Sequence, residues 1–203
     1  MKRYLCIGLV FLLAVSLFAG CGSRLNVDRS TVYVQKKGTI QSVDVIELDK
    51  AYYDEAELEE GIKSQVEEYC KEAGEKAFVE DFSVKDKIAK LNMKFTSFED
   101  YQSLIQIELY CGNIVKAQAQ GYDFDVPFYA FTDGEKNLVS TGNVLSEDDN
   151  KVVIIRANVD VKVDGTILYV SGENTTVTGK DTVSIAGDEE RSEEAELTYI
   201  VYK

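Results

Sequence analysis

Along residues 30–110 the spacing of apolar positions switches between two and three-to-four, and each switch marks an element. In STVYVQKKGTIQSVDVIELD two β-rich runs flank Lys37-Gly38, which predicts a hairpin. YYDEAELEEGIKSQVEEYCKEAG follows with Leu58, Ile62, Val66, Tyr69, Cys70 and Ala73 on one helical face. Asp54 is placed to cap that helix, with Glu57 completing a capping box, and Gly74 to end it in a left-handed conformation. The pattern then repeats. AFVEDFSVKDKIAKLNMKF predicts a second hairpin turning near Lys85-Asp86-Lys87. Within it Ala89, Leu91, Met93 and Phe95 alternate with Lys90, Asn92 and Lys94, the period of a sheet with one wet face. TSFEDYQSLIQIEL reads as a second helix capped by Ser97, with Asp100 at its third position.

Past a short helical turn that leaves at Gly121, the chain becomes β-rich. FYAFTDGEKNLVST predicts a hairpin across Asp133-Gly134. In KVVIIRANVDVKVDGTILYVS the residues Val153, Ile155, Ala157, Val159, Val161 and Val163 share one face. Asp164-Gly165 then reads as a two-residue hairpin turn. TTVTGKDTVSIAG, the acidic loop DEERSEE and a final strand AELTYIVYK complete the chain.

These patterns predict an α+β fold. Hairpin–helix–hairpin–helix would form an antiparallel sheet with both helices on one face, followed by a β-rich C-terminal half. The expected divisions are 1–20, 21–29, 30–126 and 127–203, the last either a domain or an extension of the sheet.

The N-terminus has a different character. Lys2 and Arg3 precede an apolar run from Tyr4 to Ala19, which ends in Gly20-Cys21. A basic start, an apolar stretch and small residues at its end describe an export signal. The run falls short of the roughly 18 residues that span a bilayer comfortably. Leu17-Phe18-Ala19-Gly20-Cys21 resembles the lipobox of bacterial lipoproteins. That resemblance implies cleavage before Cys21 and lipidation of its thiol, and two acyl chains on one residue give stable anchoring. Residues 22–29 then read as a tether. Lipobox, tether, capped helix and the terminal TYIVYK together resemble small lipoproteins of Gram-positive bacteria. The resemblance implies an extracytoplasmic, membrane-anchored location and no activity.

Charge narrows the partners. Residues 21–203 hold 20 basic against 36 acidic side chains, a net charge of −16. Nucleic acid is excluded as a partner, because phosphate contacts need clustered Lys and Arg. The chain contains no histidine, CxxC or Ser-x-x-Lys, which removes the familiar nucleophilic triads, common zinc sets and thioredoxin-type redox. TGKDT at 178–182 lacks the upstream glycine of a phosphate loop and reads as a β-turn. Once the signal and Cys21 are set aside, Cys70 and Cys111 remain. An export route permits a disulfide, but Cys70 lies on an apolar stripe, where a free thiol acts as a small hydrophobe.

Three sets of residues remain as candidates. Asp123 and Asp125 in GYDFDVPF fall on one side of an extended segment and form a candidate calcium pair. SEDDN at 146–150 is a second acidic cluster without the glycine and final glutamate of an EF-hand. Tyr199 and Tyr202 lie on opposite faces of the last strand, so at least one is expected outward as a binding surface. The reading this supports is a non-enzymatic binding or interaction module, needing no cofactor, whose partner is an envelope protein or small ligand. The alternative is a carboxylate-dependent hydrolase of cell-wall or glycan material, which needs two acids set across a cleft.

Overall fold

A computed structural model describes residues 25–50, 53–132, 135–146, 149–187 and 195–203. Cys21, the signal segment, the Asp133-Gly134 turn and the DEERSEE loop lie outside the described residues. The fold contains helices and two sheets, and its C-terminal half is rich in strands.

Strands β1 (Thr31–Val34) and β2 (Ile40–Glu47) pair antiparallel. Their turn is closed by Gln35 N–H donating to the Thr39 carbonyl at 3.0 Å. Gly38 takes φ +84°, a region that glycine enters without a Cβ penalty. Helix α1 (Glu55–Ala73) follows, and then β3 (Ala77–Lys85) and β4 (Ile88–Phe95). Asp86 and Lys87 both take positive φ, as a two-residue type I′ hairpin turn requires. β3 also carries a bulge between Val79 and Asp81. Helix α2 (Phe98–Ile105) is shorter than its sequence pattern predicts. Gln106 turns into the left-handed region at φ +63°, and Leu109–Asn113 becomes strand β5. There Leu109 and Tyr110 bury opposite faces, the period of a strand.

The remaining elements are α3 (Ile114–Ala119), β6 (Phe128–Thr132), β7 (Glu135–Val139) and α4 (Thr141–Val144). After them come β8 (Lys151–Ile155), β9 (Asp160–Val163), β10 (Ile167–Ser171), β11 (Thr175–Gly179), β12 (Thr182–Ile185) and β13 (Thr198–Tyr202). The first sheet runs β11-β12-β9-β1-β2-β4-β3, and the second runs β5-β8-β13-β10-β6-β7. Strands from both sides of residue 126 therefore share each sheet. β1 joins the two parts through a parallel pairing with β9, Val32 opposite Val161.

The apolar run from Val153 to Val163 is two strands. β8 belongs to the second sheet and β9 to the first, with the chain crossing between them at Arg156–Val159. All six predicted residues still face one core, because that core fills the space between the sheets. For the same reason Asp164-Gly165 is no hairpin turn: β9 pairs with β1 and β12, and β10 with β13 and β6. The segment carries the chain back to the second sheet. A Cβ on Gly165 would meet the Lys203 carbonyl oxygen at 2.6 Å, so that crossing needs glycine.

The centre of the second sheet, β8 and β13, is buried on both faces, whereas its edge strand β7 is largely exposed. Val153, Ile155, Ile200 and Tyr202 point into the inter-sheet core. Val152, Ile154, Tyr199 and Val201 pack in a second cluster with Ile114, Ala117, Phe124, Phe128 and Val144. The first sheet departs from clean alternation. Asn92 and Val43 lie opposite each other on its predicted wet face, and both are buried.

Candidate functional site

The site begins with a polarity inversion along β2. Ile40, Ser42, Asp44 and Ile46 alternate onto the face that meets the core, and their exposures climb from 0% and 1% to 6% and 50%. A strand facing a core normally carries apolar residues there. Here a hydroxyl and a carboxylate occupy the middle of the row, with a core isoleucine at one end and an exposed isoleucine at the other.

Over this row stands α1. Asp54 caps it by accepting from Glu57 N–H at 2.9 Å, and Glu55 and Glu57 in the first turn suit the positive end of the dipole. Lys63 and Glu59 add an i,i+4 ion pair at 2.6 Å. At the other end Gly74 N–H donates to the Cys70 carbonyl. Gly74 has φ +84° with ψ −175°, so the terminus is glycine-dependent without being the left-handed helical cap its sequence suggests. The predicted stripe faces the sheet, yet no residue of α1 is buried.

The C-terminal half of α1 is fastened. Tyr69 Oη donates to Asp100 Oδ1 at 3.1 Å, and Cys70 Sγ donates to the Ala77 carbonyl at 3.4 Å. Asp100 Oδ2 also accepts from Thr96 and Ser97 hydroxyls, at 2.6 and 2.9 Å. Burial raises the Asp100 carboxyl, but these three hydrogen bonds outweigh it and hold its pKa below the ordinary value. Burial also raises the Tyr69 phenol, and its bond to Asp100 adds to that.

The N-terminal half stands off the sheet and leaves a groove of about 210 Å³. Leu58, Ile62 and Val66 of α1 form one wall, with Leu104 and Ile105 of α2 beside them. Phe82, Ala89, Leu91 and Met93 form the floor. Asp44 is the one carboxylate among its described lining residues. A shallower recess on α1 shares Leu58, Ile62 and Gln65 with the groove and reaches Tyr53, which is 46% exposed.

The sequence-predicted site residues lie elsewhere. Tyr199 and Tyr202 do fall on opposite faces of β13, but neither is outward, at 3% and 5% exposure. The reason is that β13 lies inside a sheet covered on both sides. Tyr199 packs edge-on to Phe124 at 5.1 Å, and Tyr202 enters the inter-sheet core. Burial raises both phenols above their usual pKa. Asp123 and Asp125 are exposed on either side of buried Phe124, and Asp123 Oδ1 accepts from Asp125 N–H at 2.9 Å, a turn contact. Among the described residues no group of three or more Cys, Asp or Glu is arranged to hold a metal. Asp123 and Tyr199 do line one shallow cleft together with Glu108 and Tyr122. Glu108 is committed there to Arg156, Oε2 to Nε 2.9 Å.

Cys70 and Cys111 are both free. Burial pushes the Cys111 thiol well above its usual range. Sequence reasoning missed Asp44, although one signal was present: Ser42 and Asp44 share parity with Ile40 and Ile46. It also missed Arg29, which donates to Asp160, to Ser184 Oγ at 3.0 Å, to the Asn158 carbonyl at 2.8 Å and to the Ile185 carbonyl. That residue ends the predicted tether and binds the chain to β9 and β12.

The chain matches no family model, no curated protein and no solved structure.

Proposed function

We propose that this chain is an extracytoplasmic lipoprotein, anchored through Cys21, that acts as a non-enzymatic binding module. The observation that carries the binding role is the apolar groove under α1, walled by a helix that buries none of its residues. We read the hairpin–helix–hairpin–helix unit, with both helices over one face of the first sheet, as the scaffold of that groove. Arg29 supports the tether: its hydrogen bonds transfer any pull from the anchor into the sheet. No described helix is long and apolar enough to cross a membrane, and lipid at Cys21 would supply the attachment. The ligand is a small molecule or a segment of an envelope protein, and nucleic acid is not a partner. No cofactor enters this reading, and calcium at Asp123 and Asp125 has only two exposed carboxylates in its favour.

Hydrolysis draws on the cleft where Glu108 and Asp123 meet. Glu108 is held in an ion pair and Asp123 is exposed, whereas the general acid of such an enzyme is sheltered in its cleft. Binding is therefore preferred.

Two measurements test the proposal. Cys21→Ser should move the protein from the membrane fraction to the medium, and retention in the membrane would remove the anchor. The full chain carrying Cys21→Ser should enhance the fluorescence of N-phenyl-1-naphthylamine, a neutral apolar probe, and Ile62→Glu should abolish the enhancement. A folded protein that leaves the probe dark would sink the groove.

A further inference from the structure

The geometry points to a ligand class for the groove: a small cationic amphiphile, an ammonium on an apolar body, with its charge against Asp44. This rests on the groove-binding reading above. Asp44 is 6% exposed and stands among aliphatic and aromatic side chains. A carboxylate in such surroundings is costly unless charge or hydrogen-bond donors meet it. Asp44 has a contact within the protein, and its two oxygens can accept several donors at once.

One step inward on the same face, Ser42 is 1% exposed, and its Oγ has no hydrogen-bond partner among the described residues. The hydroxyl keeps the strand polar directly behind the carboxylate, where a core-facing row is otherwise apolar. Ser42 lies opposite Met93, a floor residue, but does not itself line the groove, so Asp44 is the charged group a ligand meets.

The surrounding charge has the same sign. Helix α1 holds seven glutamates against two lysines, and the whole chain carries −14. This field attracts cations and repels fatty acids and other anions. Size sets the other limit: about 210 Å³ equals roughly seven water volumes, room for a head group and a short chain. The apolar path continues outward past half-buried Leu58 to exposed Ile46, where a longer tail would leave.

The test is displacement of N-phenyl-1-naphthylamine from the full chain carrying Cys21→Ser, using n-octylammonium, n-octanol and n-octanoate at neutral pH. Octylammonium should displace the probe at about a tenfold lower concentration than octanol, with octanoate weakest. Asp44→Asn should bring octylammonium and octanol together. Ile46→Lys places a competing ammonium at the exposed mouth and should do the same, so it decides the matter if Asp44→Asn does not fold. Equal displacement by all three compounds, or a charge preference that survives Ile46→Lys, overturns the cation and leaves the groove standing. A folded wild type that binds no probe overturns the groove itself.

Discussion

Every residue of β13 is buried, and no residue of α1 is. Both elements have the apolar residues their type needs, so composition does not separate them. Position does. β13 lies between β8 and β10 in a sheet whose two faces meet two different cores, so both parities of its side chains leave water. Helix α1 has a single stripe, and its N-terminal half faces a groove whose lining includes the Asp44 carboxylate. At about 25 cal/mol per Å² of apolar area, β13 holds the fold together and α1 contributes far less. The strand serves stability, and the helix serves as the wall of a groove.

The largest expected effect lies on the strand. Ile200→Ala should cost about 2–5 kcal/mol, because the side chain is fully buried in the inter-sheet core and its truncation leaves a cavity there. Urea unfolding should show a lower midpoint with an unchanged slope. A loss below 1 kcal/mol would mean that the two-faced sheet is not the stabilising centre. Next comes Arg29→Ala, expected to cost about 1–2 kcal/mol. It removes hydrogen bonds to two carbonyls and a hydroxyl, with the Asp160 ion pair discounted because its partners are 37% and 26% exposed. Only the ion-pair share should fade with added salt, so a deficit that vanished entirely at high salt would refute the carbonyl clamp.

The sequence showed local features well and long-range ones poorly. The caps at Asp54 and Ser97, the turn at Gly38 and the α1 stripe each depend on residues within four or five positions of one another. The β1–β9 pairing joins residues about 130 apart, and no periodicity signals it. The crossing at Arg156–Val159 was hidden because the run keeps the same parity while changing sheets. The groove shares that difficulty. Leu58, Ile62 and Val66 were visible as a helical face, but Asp44, Leu91 and Leu104 join them only through the tertiary fold. Tyr199 and Tyr202 misled because an aromatic on the last strand looks the same at an edge as in the middle of a sheet.

On the helix the comparison predicts a reversal. Ile62→Ala should cost only about 1 kcal/mol of stability, since the side chain is half-buried and its removal widens an existing groove. Its effect on probe binding should be the greater of the two, whereas Ile200→Ala should leave probe affinity unchanged in the folded fraction. If Ile62→Ala destabilised the protein as much as Ile200→Ala, the helix would be a core element and the contrast would disappear.

The smallest effect concerns the fastened end of α1. Asp100 holds Tyr69 and both flanking hydroxyls, and its pKa is depressed despite burial. A depressed carboxyl stabilises the fold above its unfolded pKa of about 3.9, and that contribution is lost as pH falls through the lower folded value. Acid should therefore loosen the clasp between α1 and α2 only below the ordinary carboxylate range, and neutral pH should leave it intact. Asp100→Asn removes the titration and keeps one acceptor oxygen, while its amide N–H2 can only donate to the hydroxyls. The stability difference between wild type and variant should be constant near neutrality and shrink as acid protonates the native carboxyl. Amide exchange in α1 should follow the same course, while β13 stays protected up to global unfolding. Should exchange in α1 and β13 accelerate together in acid, the two regions would open as one unit, and the helix would not be the independently yielding wall that an accessible groove requires.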